Sequence, residues 1–450
     1  MSLDRLPTRT RLGYGAGDFG FNLFFTTASL YLIFYYTDVL GLSPSAAGWV
    51  FAVALMWDAV FDPYMGYLAN RTRTRWGRYR PYLLFGGLPL ALSWALMFLP
   101  VPLEGTALLL FAIATHMLFR TLYAVVSMPF LALSATMTGD AQERGVLASL
   151  RMVAATTCGL FVAFSTLKFV AAFGGGREGF FWTALLYGGL ASLVFLIVFA
   201  TARETAPAEH EKHPTIPDMI AMLRKNRAFW IVCGAMLAGA IGGTMFSKTL
   251  PYYCKYVLGR EDLIPLALTA LTGAVALSMP LWTAVMKRTS KRVMWICGAL
   301  IAIIGFLGLY LLPVSTGLFL PLIAMIGLGT GATYLGFWSM MPDTVEYGEF
   351  RTGIRSEGAV FGFVSLIQKA ALGLAAAMLG ELLGRFGYQA NQAQSAQTLD
   401  ALRAIMLIGG GTFALIGVSV IAFYPLHARL HARLRRVIAW RGRRLAATPV

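Results

Sequence analysis

The sequence predicts an all-α integral membrane protein of twelve transmembrane helices arranged as two six-helix halves. Three observations carry that expectation. Of 450 residues, 58% are hydrophobic and only 13% are charged, where an ordinary soluble domain carries roughly 25% charge. Apolar runs of about 20 residues, the length that crosses a hydrocarbon core of about 30 Å, recur along nearly the whole chain. Lys and Arg gather in alternate short loops, the distribution that marks the cytoplasmic side of a multispanning protein.

The first half, residues 1–201, holds spans near 12–37, 45–69, 81–100, 107–137, 146–172 and 180–201. A segment rich in Pro and charge, 202–227, reads as a cytoplasmic linker. The second half, 228–425, holds spans near 228–257, 263–286, 293–313, 316–342, 357–384 and 401–425. Each half carries a basic stretch after its second span, GYLANRTRTRWGR and TAVMKRTSKR, as two parallel repeats would. The even loops are basic and the odd loops hold only Arg177, Arg260 and Arg385, which puts both termini on the cytoplasmic face of a cell (inner) membrane. The tail, 426–450, spaces apolar residues at helical intervals among arginines and reads as an amphipathic helix lying on anionic lipids of the cytoplasmic leaflet. A monomer is expected.

Composition also excludes. The net charge of +16 sits in membrane-flanking loops, so it does not point to nucleic acid. Cys158, Cys233, Cys254 and Cys297 lack CxxC spacing and neighbouring His ligands, so they imply neither a disulfide framework nor a zinc site. The glycines of GLGTGAT lie in an apolar helix with no preceding strand, which favours helix packing over phosphate binding. His116 is the only histidine inside a span, and no Ser or Cys nucleophile is paired with a His and an acid. An enzyme reading therefore has no anchor, and no cofactor is expected beyond a coupling ion.

The chemistry centres on Trp49–Pro81. A strongly apolar helix carries Asp58 and Asp62, then runs into Arg71, Arg73, Arg75, Arg78 and Arg80. Residues four apart share a helix face, so the two carboxylates stand one above the other and invite a cation or a proton between them. Pro63 disrupts the hydrogen bond to the Ala59 carbonyl and adds an oxygen nearby. Charges inside spans cost about 2.5–3.5 kcal/mol each on insertion scales, so each calls for a partner, water or a task. Asp18, Asp58, Asp62, Arg120, Arg151 and Lys369 are such charges. Arg120, Ala124, Ser127 and Leu131 follow one face of the fourth span, where Arg120 offers either a fork for an anionic solute or an ion pair with an acid. Gln368 stands beside Lys369, and Tyr334 and Trp338, four apart, form a candidate stacking platform.

With these residues in view, the chain resembles the glycoside-pentoside-hexuronide:cation symporters, the branch of the major facilitator superfamily that includes melibiose permease. The matching stretches are GAGDFGFN, YLIFYYTDVLGLS, WDAVFDPYMGYLANRTRTRWGRYRP, MMPDTVEYGEFRTGIRSEG and LIQKAALG. The resemblance implies the major facilitator fold and alternating access. It implies a cation site at Asp58 and Asp62, and solute-binding or coupling positions at Asp18, Tyr123, Arg151 and Lys369. A cytoplasmic gate is implied at Asp343, Glu346, Glu349, Arg351 and Arg355, with Arg75 and Arg78 in the loop that latches the halves. Ser127 and Leu131 replace the sugar-binding Asp and stacking Trp of melibiose permease, and Phe61 and Ala124 replace two oxygen-bearing residues of its sodium site. A proton is therefore favoured over Na+ as the coupling ion. The more cationic cavity wall points to a glycoside or hexuronide-like, anionic solute. A lysolipid or other amphiphile is the alternative cargo, and a non-transporting membrane sensor is the alternative of another class.

Overall fold

The computed structural model describes residues 6–138, 140–204, 216–312, 316–354, 356–426 and 437. They form fourteen α-helices with π-helical turns at three of their junctions. In the first half these are α1 (Thr8–Phe34), α2 (Pro44–Arg71), α3 (Arg80–Met97), α4 (Gly105–Met137), α5 (Ala141–Ala172) and α6 (Gly176–Thr201). A short α7 (Ile216–Arg224) follows, then α8 (Arg227–Tyr252), α9 (Leu263–Arg288), α10 (Lys291–Leu311), α11 (Thr316–Thr352) and α12 (Glu357–Arg385). The last expected span is α13 (Ala396–Arg403), a π-helical turn and α14 (Gly410–Ile421). Among the described residues, eleven helical stretches are long and apolar enough to cross a membrane. The third expected span is present as α3, but at 18 residues it is shorter than its neighbours and stops at Met97, just ahead of Pro100.

Local chemistry sets these boundaries. The Ser43 hydroxyl accepts from the Ala46 amide and Pro44 opens α2, a pairing of cap and first-turn proline suited to a helix start. Asn226 starts α8 in the same way, accepting from the Phe229 amide at 2.9 Å while its Nδ2 donates to the Thr344 carbonyl at 2.7 Å. Within the segment 202–227, IPDMIAMLR folds into amphipathic α7. One expectation needs correction. The span placed at 316–342 continues through Pro342 to Thr352, so Asp343, Glu346, Glu349 and Arg351 lie on the last turns of α11 rather than after it. Proline removes one amide donor, and the turns on either side carry the helix past it. The surface helix expected from His427 onward lies outside the described residues except for Val437.

The chain divides into two compact units. The first comprises Met1–His210, Ser247–Thr269 and Ala376–Leu402, and the second Glu211–Phe246, Ala270–Ala375 and Arg403–Val450. In the first, α1 packs on α5 and α6, α2 on α4, and α3 on α4 and α6. Its core is aromatic: Phe24, Trp94, Phe98 and Phe119 meet edge-on or tilted, with Tyr35 and Phe180 against Phe98. Backbones approach where side chains are absent, since a Cβ on Gly380 would strike the Pro44 carbonyl and one on Gly48 the Ala376 carbonyl. In the second unit α10 and α11 meet the same way, with Gly329 against the Gly298 carbonyl. Met222, Phe229, Trp295, Phe337, Met340, Val364 and Tyr424 belong to the core around them.

Candidate functional site

In the first unit, the charges expected inside spans converge. Asp58 is 2% exposed and Arg120 4% exposed, and Arg120 Nη1 lies 3.7 Å from Asp58 Oδ2. The Arg120 guanidinium also donates from Nε to His116 Nε2 at 3.4 Å. Asp62 follows one turn further along α2 and is half-buried. Of the two roles open to Arg120, the geometry places it beside the acid. Both distances exceed the 2.7–2.9 Å of a strong charge-assisted bond, so the guanidinium is shared rather than locked.

A second pair lies on α1 and α5. Arg151 donates from Nε to Asp18 Oδ2 at 2.9 Å and from Nη2 to Asp18 Oδ1 at 3.2 Å, a two-pronged bridge between side chains 22% and 16% exposed. The Arg151 guanidinium rests on the Phe130 ring, 5.1 Å from its centroid. Tyr123 packs against Phe21 and Phe119, within electrostatic reach of both pairs. Ser127 is 6% exposed, and its hydroxyl has no hydrogen-bond partner. Asp18, Asp58, Asp62, Arg120, Tyr123, Ser127 and Arg151 thus belong to one unit.

The remaining predicted solute residues lie in the second unit. Tyr334 and Trp338 are 43% and 37% exposed on α11, with ring centroids 6.4 Å apart and planes at 69°. They are edge-on to one another and each offers its own face, so they do not form a single flat platform. Gln368 and Lys369 are half-buried on α12.

Of the expected gate residues, Asp343 receives Lys291 Nζ on both oxygens at 2.9 and 2.7 Å. Glu346 and Glu349 are half-buried and Arg351 exposed on the same helix, and Arg355 lies outside the described residues. Arg75 lays its guanidinium 4.1 Å from the Trp76 ring centroid, and Arg78 sits over Tyr79. Their loop is pinned within the first unit, because the Glu204 carboxylate accepts from the amides of Arg78 and Tyr79 at 2.8 Å and of Arg80 at 3.1 Å. A carboxylate there also complements the positive end of α3. Gly77, at φ 107°, passes close against Glu204 where a Cβ would collide.

Sequence reasoning missed two charged groups. Lys248, on α8, is 4% exposed, a lone lysine in an apolar run that the cost of intramembrane charge should have flagged. Asp38 ends the first span in YYTDV and is buried in a knot of side chains from distant stretches. It takes Lys255 Nζ at 3.0 Å, the Tyr388 hydroxyl at 2.6 Å, the Thr37 hydroxyl at 2.9 Å and the Tyr256 hydroxyl. Asn391 closes the knot, donating to the Asp38 carbonyl at 2.6 Å and accepting from Lys255 at 2.7 Å.

Residues 13–428 match the family described as MFS/sugar transport protein. The chain belongs to that family. The isoprimeverose transporter of Lactiplantibacillus pentosus is 34% identical over 426 residues, covering 91% of this chain and 88% of its own. The glucuronide carrier protein homolog of Escherichia coli (strain K12) is 30% identical over 430 residues, covering 94% and 93%. Among solved structures, a bacterial homologue of the human lysosomal transporter Spinster superposes with a TM-score of 0.65 at 13% identity, covering 95% of this chain and 96% of that one, a likeness of fold. The all-α fold is that of the major facilitator superfamily, and the resemblance to glycoside and hexuronide symporters holds along the chain. This family member is therefore a multi-pass membrane protein and a secondary transporter of sugar-like solutes, not an enzyme.

Proposed function

We propose that the protein couples inward movement of a glycoside or hexuronide-like, anionic solute to a proton, with Asp58 and Asp62 as the coupling acids. The observation that carries this reading is the buried approach of Arg120 to Asp58, 3.7 Å apart with both side chains at most 4% exposed. A tethered cation already stands where sodium would need room and several oxygen ligands, while Phe61 and Ala124 bring no side-chain oxygen. A proton needs only one carboxylate oxygen. Arg120 can hold an acid as carboxylate in one state, and protonation of an acid lets the guanidinium turn to another partner. The glucuronide named for one relative carries a carboxylate, which supports an anionic solute.

In this reading Asp18, Tyr123, Ser127, Arg151, Tyr334, Trp338, Gln368 and Lys369 serve solute binding and coupling. Asp343, Glu346, Glu349 and Arg351, with Arg75 and Arg78, serve closure on the cytoplasmic side, where both termini lie. In proteoliposomes holding an imposed pH gradient, the Asp62→Asn protein is expected to lose accumulation of labelled methyl β-D-glucuronide while solute exchange survives. Unchanged accumulation removes Asp62 from the coupling role.

A further inference from the structure

Among the described residues of the first unit, one buried cation has no acidic partner. Lys248 donates from Nζ to the Ser29 carbonyl at 2.8 Å and lies 4.0 Å from the centroid of the Phe51 ring. An ammonium has three N–H donors and the Ser29 carbonyl uses one. No described carboxylate forms an ion pair with it, and the charged group within electrostatic reach of it is a second cation, Arg120. His116 lies against the same Phe51 ring, with centroids 5.7 Å apart, and is wholly buried. Because His116 Nε2 accepts from Arg120, the ring keeps its proton on Nδ1, and that atom has no partner. Tyr36, with its ring centroid 6.1 Å from that of His116, also buries a hydroxyl without a partner.

These groups share one deficiency. Two N–H bonds of Lys248, the Nδ1–H of His116 and the Tyr36 O–H are all available to donate, and the local charge is positive. A buried ammonium without a counter-ion is costly, and water would supply acceptors without supplying charge. What completes the cluster is an acceptor that bears negative charge.

We propose that Lys248, with Arg120 and His116 beside it, is the docking point for an anionic oxygen group of the transported solute, a carboxylate or a sulfonate. The proposal rests on the transport reading above and adds which residue receives the charge. Lysine is a compact point charge with rotatable donors, so it accepts a planar carboxylate or a tetrahedral sulfonate alike. The arriving anion also gives Arg120 a second anionic partner, in competition with Asp58. Solute binding thereby frees the Asp58 carboxylate to take the proton, which ties recognition to coupling through one shared guanidinium.

The test uses the purified full-length protein as wild type, Lys248→Met and Lys248→Arg. Protection against thermal unfolding is titrated with methyl β-D-glucuronide, its neutral match methyl β-D-glucoside, and inorganic sulfate at equal ionic strength. The glucuronide is expected to protect wild type at concentrations at least about tenfold below the glucoside, the size of one charge-assisted hydrogen bond. That advantage should vanish in Lys248→Met and return in Lys248→Arg, with Lys248→Gln standing in should the Met protein not fold. Equal protection by both glycosides, no protection by either, or an advantage that survives Lys248→Met overturns the proposal. Sulfate acting at the glucuronide's concentrations also overturns it, since the site then serves inorganic anions. Counterflow of the neutral glycoside in proteoliposomes scores transport separately, so anion selectivity can fail while transport stands.

Discussion

The first unit buries two charge clusters that have been treated by the fold in opposite ways. Around Asp38, with 1% of its side chain exposed, an ammonium and three hydroxyls all point at the carboxylate, and Asn391 satisfies the backbone behind it. Around Arg120, one guanidinium is divided between Asp58 at 3.7 Å and His116 at 3.4 Å, and Lys248 is met by a single carbonyl and a ring face. A fully satisfied buried network is expensive to break and fixes one arrangement. A loosely satisfied one has partners to exchange, which a coupling site requires. Burial alone therefore does not separate the two clusters; the proposed coupling role rests on how the Arg120 guanidinium and the Lys248 ammonium are partnered.

The contrast can be broken or sharpened by mutation. The largest effect is expected at the knot, where Asp38→Ala strands the Lys255 ammonium and should cost about 3–5 kcal/mol in denaturant unfolding in detergent. A loss below about 1 kcal/mol would mean that the knot is not cohesive. Tyr388→Phe removes one hydroxyl donor from the same carboxylate and should cost about 1.5–3 kcal/mol, with counterflow activity retained. A double-mutant cycle on Asp58 and Arg120 should return a coupling of only about 1 kcal/mol. A coupling as large as that between Asp38 and Lys255 would make the site a second structural knot and undo the distinction.

The smallest effect is expected at Arg260 and Asp262, 2.7 Å apart but 48% and 62% exposed. The hydrogen bond from Arg260 holds the Asp262 carboxyl below its ordinary value of 3.8. A lowered carboxylate contributes stability above its unfolded-state value and loses it as pH falls through the folded one. Solvent screening erases such a contribution at the surface. Melting curves of Asp262→Asn should therefore overlay wild type from neutral pH down through the acid range, and a pH-dependent gap between them would contradict this.

The same contrast explains what could be read from the residues in advance. Hydropathy located the spans because lipid leaves the backbone few alternatives to a helix. Asp58 and Asp62 were legible because both acids sit four apart in one apolar helix, so their relation is local. Arg120 stands on another helix, and no spacing told whether it meets Asp58 or solvent. Asp38 was overlooked because each of its partners except Thr37 lies more than two hundred residues away in sequence. Lys248 differed, since a single lysine among apolar neighbours is visible without any structure. The extension of α11 through Asp343 to Thr352 was obscured because charged turns of a protruding helix look like loop.

The central claim is that Asp58 and Arg120 form a proton-coupled transport site. It is tested most directly by uptake of labelled methyl β-D-glucuronide into wild-type proteoliposomes under an imposed pH gradient or an imposed sodium gradient, one at a time. The account predicts accumulation above equilibrium with the pH gradient, alkalinisation of the outer medium as solute enters, and none with sodium alone. Accumulation driven by sodium and indifferent to pH would contradict it.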